Sequence, residues 1–359
     1  MEGRIALSNK ALATVGLVAA YVFVAVLCGL PRVNAAETSN VTCTRKSQMT
    51  TCVCSTASGV DEEASDSTDT ATLSELSNGI AIQCPKATFD FVPAAETDVC
   101  VAATTAETLK SCKTNSKIPI KQFLNLKTDD NIPKWTETTV QSNEQHSIVF
   151  PEHIFPLVDK SFFVGCRQTS PDNGSAKQCV VNVSVKARTS AVKNGVLICA
   201  YGNESNESVP EVTLNSQNNS LTILCGSEGQ MEPTKESLTA YHCAGSDTLD
   251  CKEVNLTEIM PTFTSSWWTT DSNNGNAPKL VIPEDGFPAQ EETIVLGCNP
   301  DIAGTSKAPA GDQTAAAALP TCKVKMTLSP QTSGSLTTNA SFHRLFVLVS
   351  IPLFFLGTY

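Results

Sequence analysis

The sequence predicts an all-β protein made of two tandem, disulfide-stapled β-sandwich domains. Three observations predict it. One passage is written twice: "FPLVDKSFFVGC" ends at Cys166 and "FPAQEETIVLGC" at Cys298, after "IVFPEHI" and "LVIPEDG", at a common offset of 132 residues that also carries Trp135 onto Trp267. Fourteen of the 15 cysteines lie downstream of an apolar leader, an even number. Apolar residues in the duplicated region alternate with polar ones at period two, as half-buried strands require.

The N-terminal segment, residues 1–35, has the form of a secretory signal peptide. Arg4 and Lys10 precede an apolar run, and Val33-Asn34-Ala35 gives a small-residue cleavage pattern with Ala36 as the new start. A retained anchor is the alternative for so long a run. At the other end the apolar core from Leu345 to Gly357 is 13 residues, whereas a membrane span needs about 20. Small residues Ser333-Gly334-Ser335 and the spacer "LTTNASFHR" precede it. That order is a GPI-attachment signal whose tail is discarded. The expected attachment site is Ser333, with Gly334 and Ser335 as alternatives. Residues 334–359 are then a propeptide, 329–333 a stalk, and the mature chain sits on the outer leaflet of the plasma membrane with no transmembrane helix.

Between the signals the length suits two domains, 36–188 distal to the membrane and 189–328 proximal to it. "ARTSAVK", Ala187 to Lys193, is short and polar enough to join them. In the first domain Val181, Val183 and Val185 alternate with Asn182, Ser184 and Lys186 after Cys179. In the second, Val324, Met326 and Leu328 alternate with Lys323, Lys325 and Thr327 after Cys322. Each cysteine is in phase with the apolar set, so its sulfur faces the core. "GIAIQC", "SIVFP", "SFFVGC", "NGVLICAY", "SLTILC", "KLVIP" and "TIVLGC" are the other strand candidates, and no long stretch has helical spacing.

In an oxidising compartment an even set of cysteines forms disulfides, here seven. Cys43, Cys52 and Cys54 are close enough to raise a metal site, yet His146, His153 and His242 have no ligand spacing to a cysteine pair. Neither a metal nor a cofactor is expected. Catalysis is not expected either: no G-x-S-x-G elbow, H-E-x-x-H or glycine-rich phosphate loop occurs, and a disulfide would consume the thiol beside His242.

The processed chain carries 21 basic and 35 acidic residues, which argues against general nucleic-acid or anionic-membrane binding. The first domain has 14 basic and 18 acidic, the second 7 and 17. Within the first, Lys110, Lys113, Lys117, Lys121 and Lys127 fall in 18 residues free of acid. Such a run creates a local positive potential that draws sulfate groups; the alternative is a plain solvated face. The acidic loop "SGVDEEASDSTD", residues 58–69, would oppose a polyanion. Trp135 and the pair Trp267-Trp268 adjoin strand candidates, which favours packing over a sugar platform. N-glycosylation motifs stand at Asn40, Asn173, Asn182, Asn203, Asn206, Asn218 and Asn255, and Asn182 is expected on the wet face of its strand.

Signal peptide, paired six-cysteine domains, "SSWWTTDS", "FPAQEETIVLGC", "CAYG" and the GPI tail together resemble the SRS (surface-antigen-related sequence) antigens of coccidian parasites such as Toxoplasma. The resemblance covers essentially the whole chain. It implies β-sandwiches whose cysteines pair first with sixth, second with fifth and third with fourth. Carried over, this gives Cys199–Cys322, Cys225–Cys298 and Cys243–Cys251, and Cys54–Cys179, Cys84–Cys166 and Cys100–Cys112. Cys43–Cys52 is left to close a local loop, although Cys52 and Cys54 both reach the core position. The implied function is host-cell attachment and interplay with host immunity. A host receptor or sulfated glycosaminoglycan and host antibodies are the implied partners, with homodimers through the first domain. A coat or decoy antigen with no specific ligand is the other reading.

Overall fold

The computed structural model describes residues 41–330 apart from 56–65, 103–107, 115, 127–130, 170–175, 244–250 and 302–317. The signal peptide, Asn40, Lys127, Asn173, Ser333 and the propeptide lie outside the described residues, and of the acidic loop only Asp66 to Asp69 are inside. Two compact units result. The first ends at Lys186, except that Pro156–Asp159 group with the second, which continues from Ala187.

Each unit is a pair of sheets, and the two units repeat one topology. In the first unit one sheet runs Val41–Lys46, Met49–Cys54, Gly79–Pro85, Asn143–Val149, Thr136–Val140. The facing sheet runs Ser67–Leu73, Gln178–Val185, Lys160–Gln168, Asp98–Cys100, Lys117–Pro119, and Phe89–Val92 also pairs with Lys160–Gln168. The second unit's first sheet is Ala191–Lys193, Val196–Ile198, Ser220–Leu224, Ala277–Val281, Trp268–Asp271. Its second is Glu211–Leu214, Cys322–Leu328, Glu292–Pro300, Thr239–Cys243, Cys251–Asn255, with Gly229–Glu232 on Glu292–Pro300. Even the parallel pairs recur: Ser67–Leu73 with Gln178–Val185 corresponds to Glu211–Leu214 with Cys322–Leu328.

Period-two alternation builds the cores. Val181, Val183 and Val185 are fully buried and meet Ile80, Ile82 and Ile148 from the opposite sheet. Val324, Met326 and Leu328 meet Leu221, Ile223 and Leu280 in the same way. Burying each such side chain contributes on the order of 1.5–3 kcal/mol against exposure.

The repeated Gly-Cys ending has a steric cause. A β-carbon on Gly165 would collide with the backbone carbonyl of Cys179, and one on Gly297 with that of Cys322. Each glycine precedes a cysteine that is paired directly with the cysteine whose carbonyl it faces, Cys166 opposite Cys179 and Cys298 opposite Cys322. Only a residue without a side chain fits.

Six disulfides are closed among the described residues. Cys84–Cys166 and Cys225–Cys298 cross between sheets, as does Cys199–Cys322. Cys100–Cys112, Cys243–Cys251 and Cys43–Cys52 are local, the last two joining residues directly opposite on adjacent strands. The expected Cys54–Cys179 bridge is not closed in the structure, which holds the two as buried thiols. They sit on facing sheets in the position of Cys199 and Cys322, and hydrogen-bond each other. The Ser67 hydroxyl also donates to Cys179 Sγ at 3.5 Å. The hydrogen bond with Cys179 and burial push the Cys54 thiol far above its ordinary pKa, so it is the protonated form that fits here.

The only helices among the described residues are short: Leu109–Thr114, Ile120–Leu124 and Leu256–Ile259, besides 3₁₀ turns. None of them is long and apolar enough to cross a membrane.

Candidate functional site

The lysine run belongs to three consecutive short elements at one margin of the first unit's second sheet. Leu109–Thr114 has six residues, too few for helix propensity alone to hold it. Three local contacts fix it. Cys112 is bonded to Cys100. The Thr108 hydroxyl oxygen accepts from the Ser111 N–H at 3.1 Å, satisfying a first-turn donor. Gln178 Oε1 accepts from the Leu109 N–H at 3.0 Å. Leu109 and Cys112 then pack on Val92, Phe163 and Val180, which turns Lys110 and Lys113 outward to solvent.

Lys117 is exposed on the edge strand Lys117–Pro119, opposite Cys100. Lys121, in Ile120–Leu124, is half-buried, because Ile120, Phe123 and Leu124 on that turn enter the core. The structure thus brings Lys110, Lys113, Lys117 and Lys121 to one margin. Lys113 also faces Asp90 at 3.8 Å, with side chains 57% and 56% exposed, so solvent screens the pair. Lys160 joins the same neighbourhood, its Nζ donating to the Phe123 carbonyl at 2.6 Å and lying 5.7 Å from that ring's centroid. Sequence reasoning missed it because 37 residues separate the partners and only the fold joins them.

Beside Lys113 opens a cavity of about 230 Å³, lined by Asp90, Phe91, Glu137, Glu144 and His146 among others. The His146 ring stacks on Phe91, centroids 4.2 Å apart and planes 8° from parallel, and Phe91 meets Trp135 edge-on at 5.0 Å. Trp135 is buried, its Nε1 donating to the Asp98 carbonyl at 3.1 Å. Burial holds the His146 pKa below the ordinary value and outweighs Glu144 and Glu137, which act to raise it. Among the described residues Glu137, Glu144 and His146 are the one group of three whose ligand atoms come within 4.8 Å of one another.

A model of the SRS domain matches residues 48–185 and again 195–328. The chain belongs to the SRS family. Among solved structures this SRS protein resembles the bradyzoite-specific antigen BSR4 of Toxoplasma gondii, at 26% identity and a TM-score of 0.61, over 81% of this chain and 98% of that one. Plasmodium falciparum Pf12p is a far weaker likeness, at 10% identity and a TM-score of 0.26 over 72% and 90% of the two chains. No curated protein matches the sequence. As an SRS protein the chain is a surface antigen.

The other motifs distribute unevenly over the SRS domains. Trp267 is buried and meets Phe263 edge-on at 5.3 Å, so it packs as Trp135 does. Trp268 is half-buried on the edge strand, with no hydrogen-bond partner for its Nε1 among the described residues. Asn203, Asn218 and Asn255 are exposed. Asn255 Oδ1 accepts from both the amide and the hydroxyl of Thr257, at 2.9 and 2.7 Å, and so opens the helix Leu256–Ile259. Asn206 is half-buried, its Nδ2 donating to the Ala200 carbonyl at 2.8 Å.

Asn182 corrects the expectation of a wet strand face. It lies between Thr70 and Phe163 on an interior strand, half-buried, and its Oδ1 is shut off from solvent without a hydrogen-bond partner among the described residues. The cause is the Leu109–Thr114 helix, which covers Val180 and Phe163 on what would otherwise be the solvated side.

Proposed function

We propose that this SRS antigen is held at the cell surface by a GPI lipid and attaches to host cells through its first domain, with sulfated glycosaminoglycans as the ligand class. One observation carries the reading: Lys110, Lys113 and Lys117 are outward-facing on successive elements fastened by Cys100–Cys112. Anchored elements hold their charges close together, and clustered cations raise the local potential even on an acidic protein. Sulfate groups on an extended glycan meet that potential without needing a deep pocket. Host antibodies are the second class of partner for so exposed a surface.

Retention on a heparin column tests the reading. The disulfide-intact ectodomain should elute at a higher salt concentration than a variant carrying alanine at Lys110, Lys113, Lys117 and Lys121. Equal elution would remove the glycan reading. It would then favour a coat antigen without a specific ligand, a role with which the Asp90–Lys113 pairing is compatible.

A further inference from the structure

The group Glu137, Glu144 and His146 has no part in the attachment reading, and the fold does not require it. At the 132-residue offset of the repeat the second domain carries Thr269, Asn276 and Pro278 instead, Thr269 and Pro278 on the corresponding strands and Asn276 in the turn between them. We propose that Glu137, Glu144 and His146 form a binding site for a divalent transition metal, zinc being the ion that fits, at the mouth of the cavity in the first domain.

The hairpin assembles the donors. Glu137 on Thr136–Val140 is directly opposite His146 on Asn143–Val149. Glu144 precedes His146 by two residues and therefore projects from the same face of its strand. His146 Nε2 and Glu144 Oε1 are 3.1 Å apart. Two ligand atoms on a tetrahedral zinc, with bonds of about 2.0–2.1 Å, stand roughly 3.3 Å apart. An ion can enter between them with little movement of either.

The imidazole is also aimed in advance. Its side chain is 12% exposed, and the stack on Phe91 with Trp135 behind fixes the plane of the ring. A ligand that loses little rotational freedom on binding contributes more of its intrinsic affinity.

Charge supplies a further reason. Asp90, Glu137 and Glu144 line one cavity, and Lys113 faces Asp90. Like charges gathered across a hairpin destabilise it, and a bound dication offsets them. The imidazole selects the ion. Calcium and magnesium take oxygen ligands, whereas a nitrogen with two carboxylates suits zinc and its transition-metal neighbours. Three protein donors leave a fourth position for water.

Titration calorimetry of zinc chloride into the disulfide-intact ectodomain, in a non-chelating buffer, tests the proposal. The expected result is one equivalent bound, with calcium and magnesium showing no heat at the same concentrations. Glu137→Gln, Glu144→Gln and His146→Ala should each weaken zinc binding by at least about tenfold. Glu137 is exposed, so Glu137→Gln should keep the wild-type melting temperature in EDTA and decides the matter should His146→Ala fail to fold. No zinc binding by the wild type would overturn the proposal. So would unchanged affinity in Glu137→Gln and Glu144→Gln, or loss of the bound equivalent in His242→Gln instead.

Discussion

Gly165 faces the backbone carbonyl of Cys179 with no room between them for a β-carbon. Gly297 stands in the same relation to Cys322, so the repeated Gly-Cys marks a place in each domain where the neighbouring strand leaves no room for a side chain. Alanine at either position must push those strands apart or bend them. Gly165→Ala and Gly297→Ala should each destabilise the protein by about 1–3 kcal/mol, the usual cost of overpacking a close contact. Denaturant titration of the oxidised protein measures it; a loss below experimental error would refute the steric account.

Trp135 tests the packing of the first core. Trp135→Ala removes a buried indole and should cost about 3–5 kcal/mol. Trp135→Phe keeps most of the volume but strands the Asp98 carbonyl that accepts its Nε1–H, and should cost about 1–3 kcal/mol. Equal losses for the two variants would mean that the hydrogen bond carries the whole effect.

Cys54 and Cys179 face each other across the two sheets as thiols. Oxidation, with loss of two protons and two electrons, would close a seventh bridge matching Cys199–Cys322. A loop of that length is worth about 5 kcal/mol in the chain-entropy account. Protein refolded under a glutathione redox couple should yield no titratable thiol in denaturant and a linked Cys54–Cys179 peptide. Two thiols persisting after oxidation would show that the pair is held apart.

Asp271 gives a pH dependence. Its carboxylate accepts from Asn274 Nδ2 at 2.9 Å, the Thr222 hydroxyl at 2.8 Å and the Asn273 N–H at 3.1 Å. The Asn274 and Thr222 bonds lead in holding its pKa below the ordinary carboxylate value. A carboxyl whose pKa is lower folded than unfolded stabilises the protein above the unfolded value, about 3.9, and that contribution disappears as the pH falls through the lowered one. The wild type should therefore lose more melting temperature between pH 5 and pH 3 than Asp271→Ala does. Parallel decline of the two would contradict this.

Glycan occupancy separates the surface motifs from the interior one. Asn203 and Asn255 are exposed, whereas Asn182 is wedged between two strands with Oδ1 sealed from solvent. Enzymatic deglycosylation in heavy-oxygen water should label Asn203 or Asn255 and leave Asn182 unlabelled. Label at Asn182 would mean that its side chain is modified before the strand is paired on both sides.

The duplication, the strands and the inward cysteines were legible because each is local: a repeated string, an alternation, a residue in phase with its neighbours. What the sequence hid depends on register and on cover. Glu137 meets His146 only because the hairpin turns at Gln141, whose φ is 56°. The second domain turns its equivalent hairpin through Ser272–Asn274 and Gly275 instead, so an offset alone cannot transfer the pairing. Asn182 was misplaced because the Leu109–Thr114 helix is built by a disulfide and a cap rather than by apolar periodicity. Lys160 joined the lysines through the fold, with no sequence signal to mark it.

All the closed bridges but Cys43–Cys52 are nested. In the second domain Cys243–Cys251 lies inside Cys225–Cys298, which lies inside Cys199–Cys322; in the first, Cys100–Cys112 lies inside Cys84–Cys166. A protease that nicks the chain once between Cys251 and Cys298 therefore frees no fragment: both stubs remain covalently joined to the same body. On a cell exposed to foreign enzymes, such an antigen can be cut and still stay in one piece until its sulfur links are reduced.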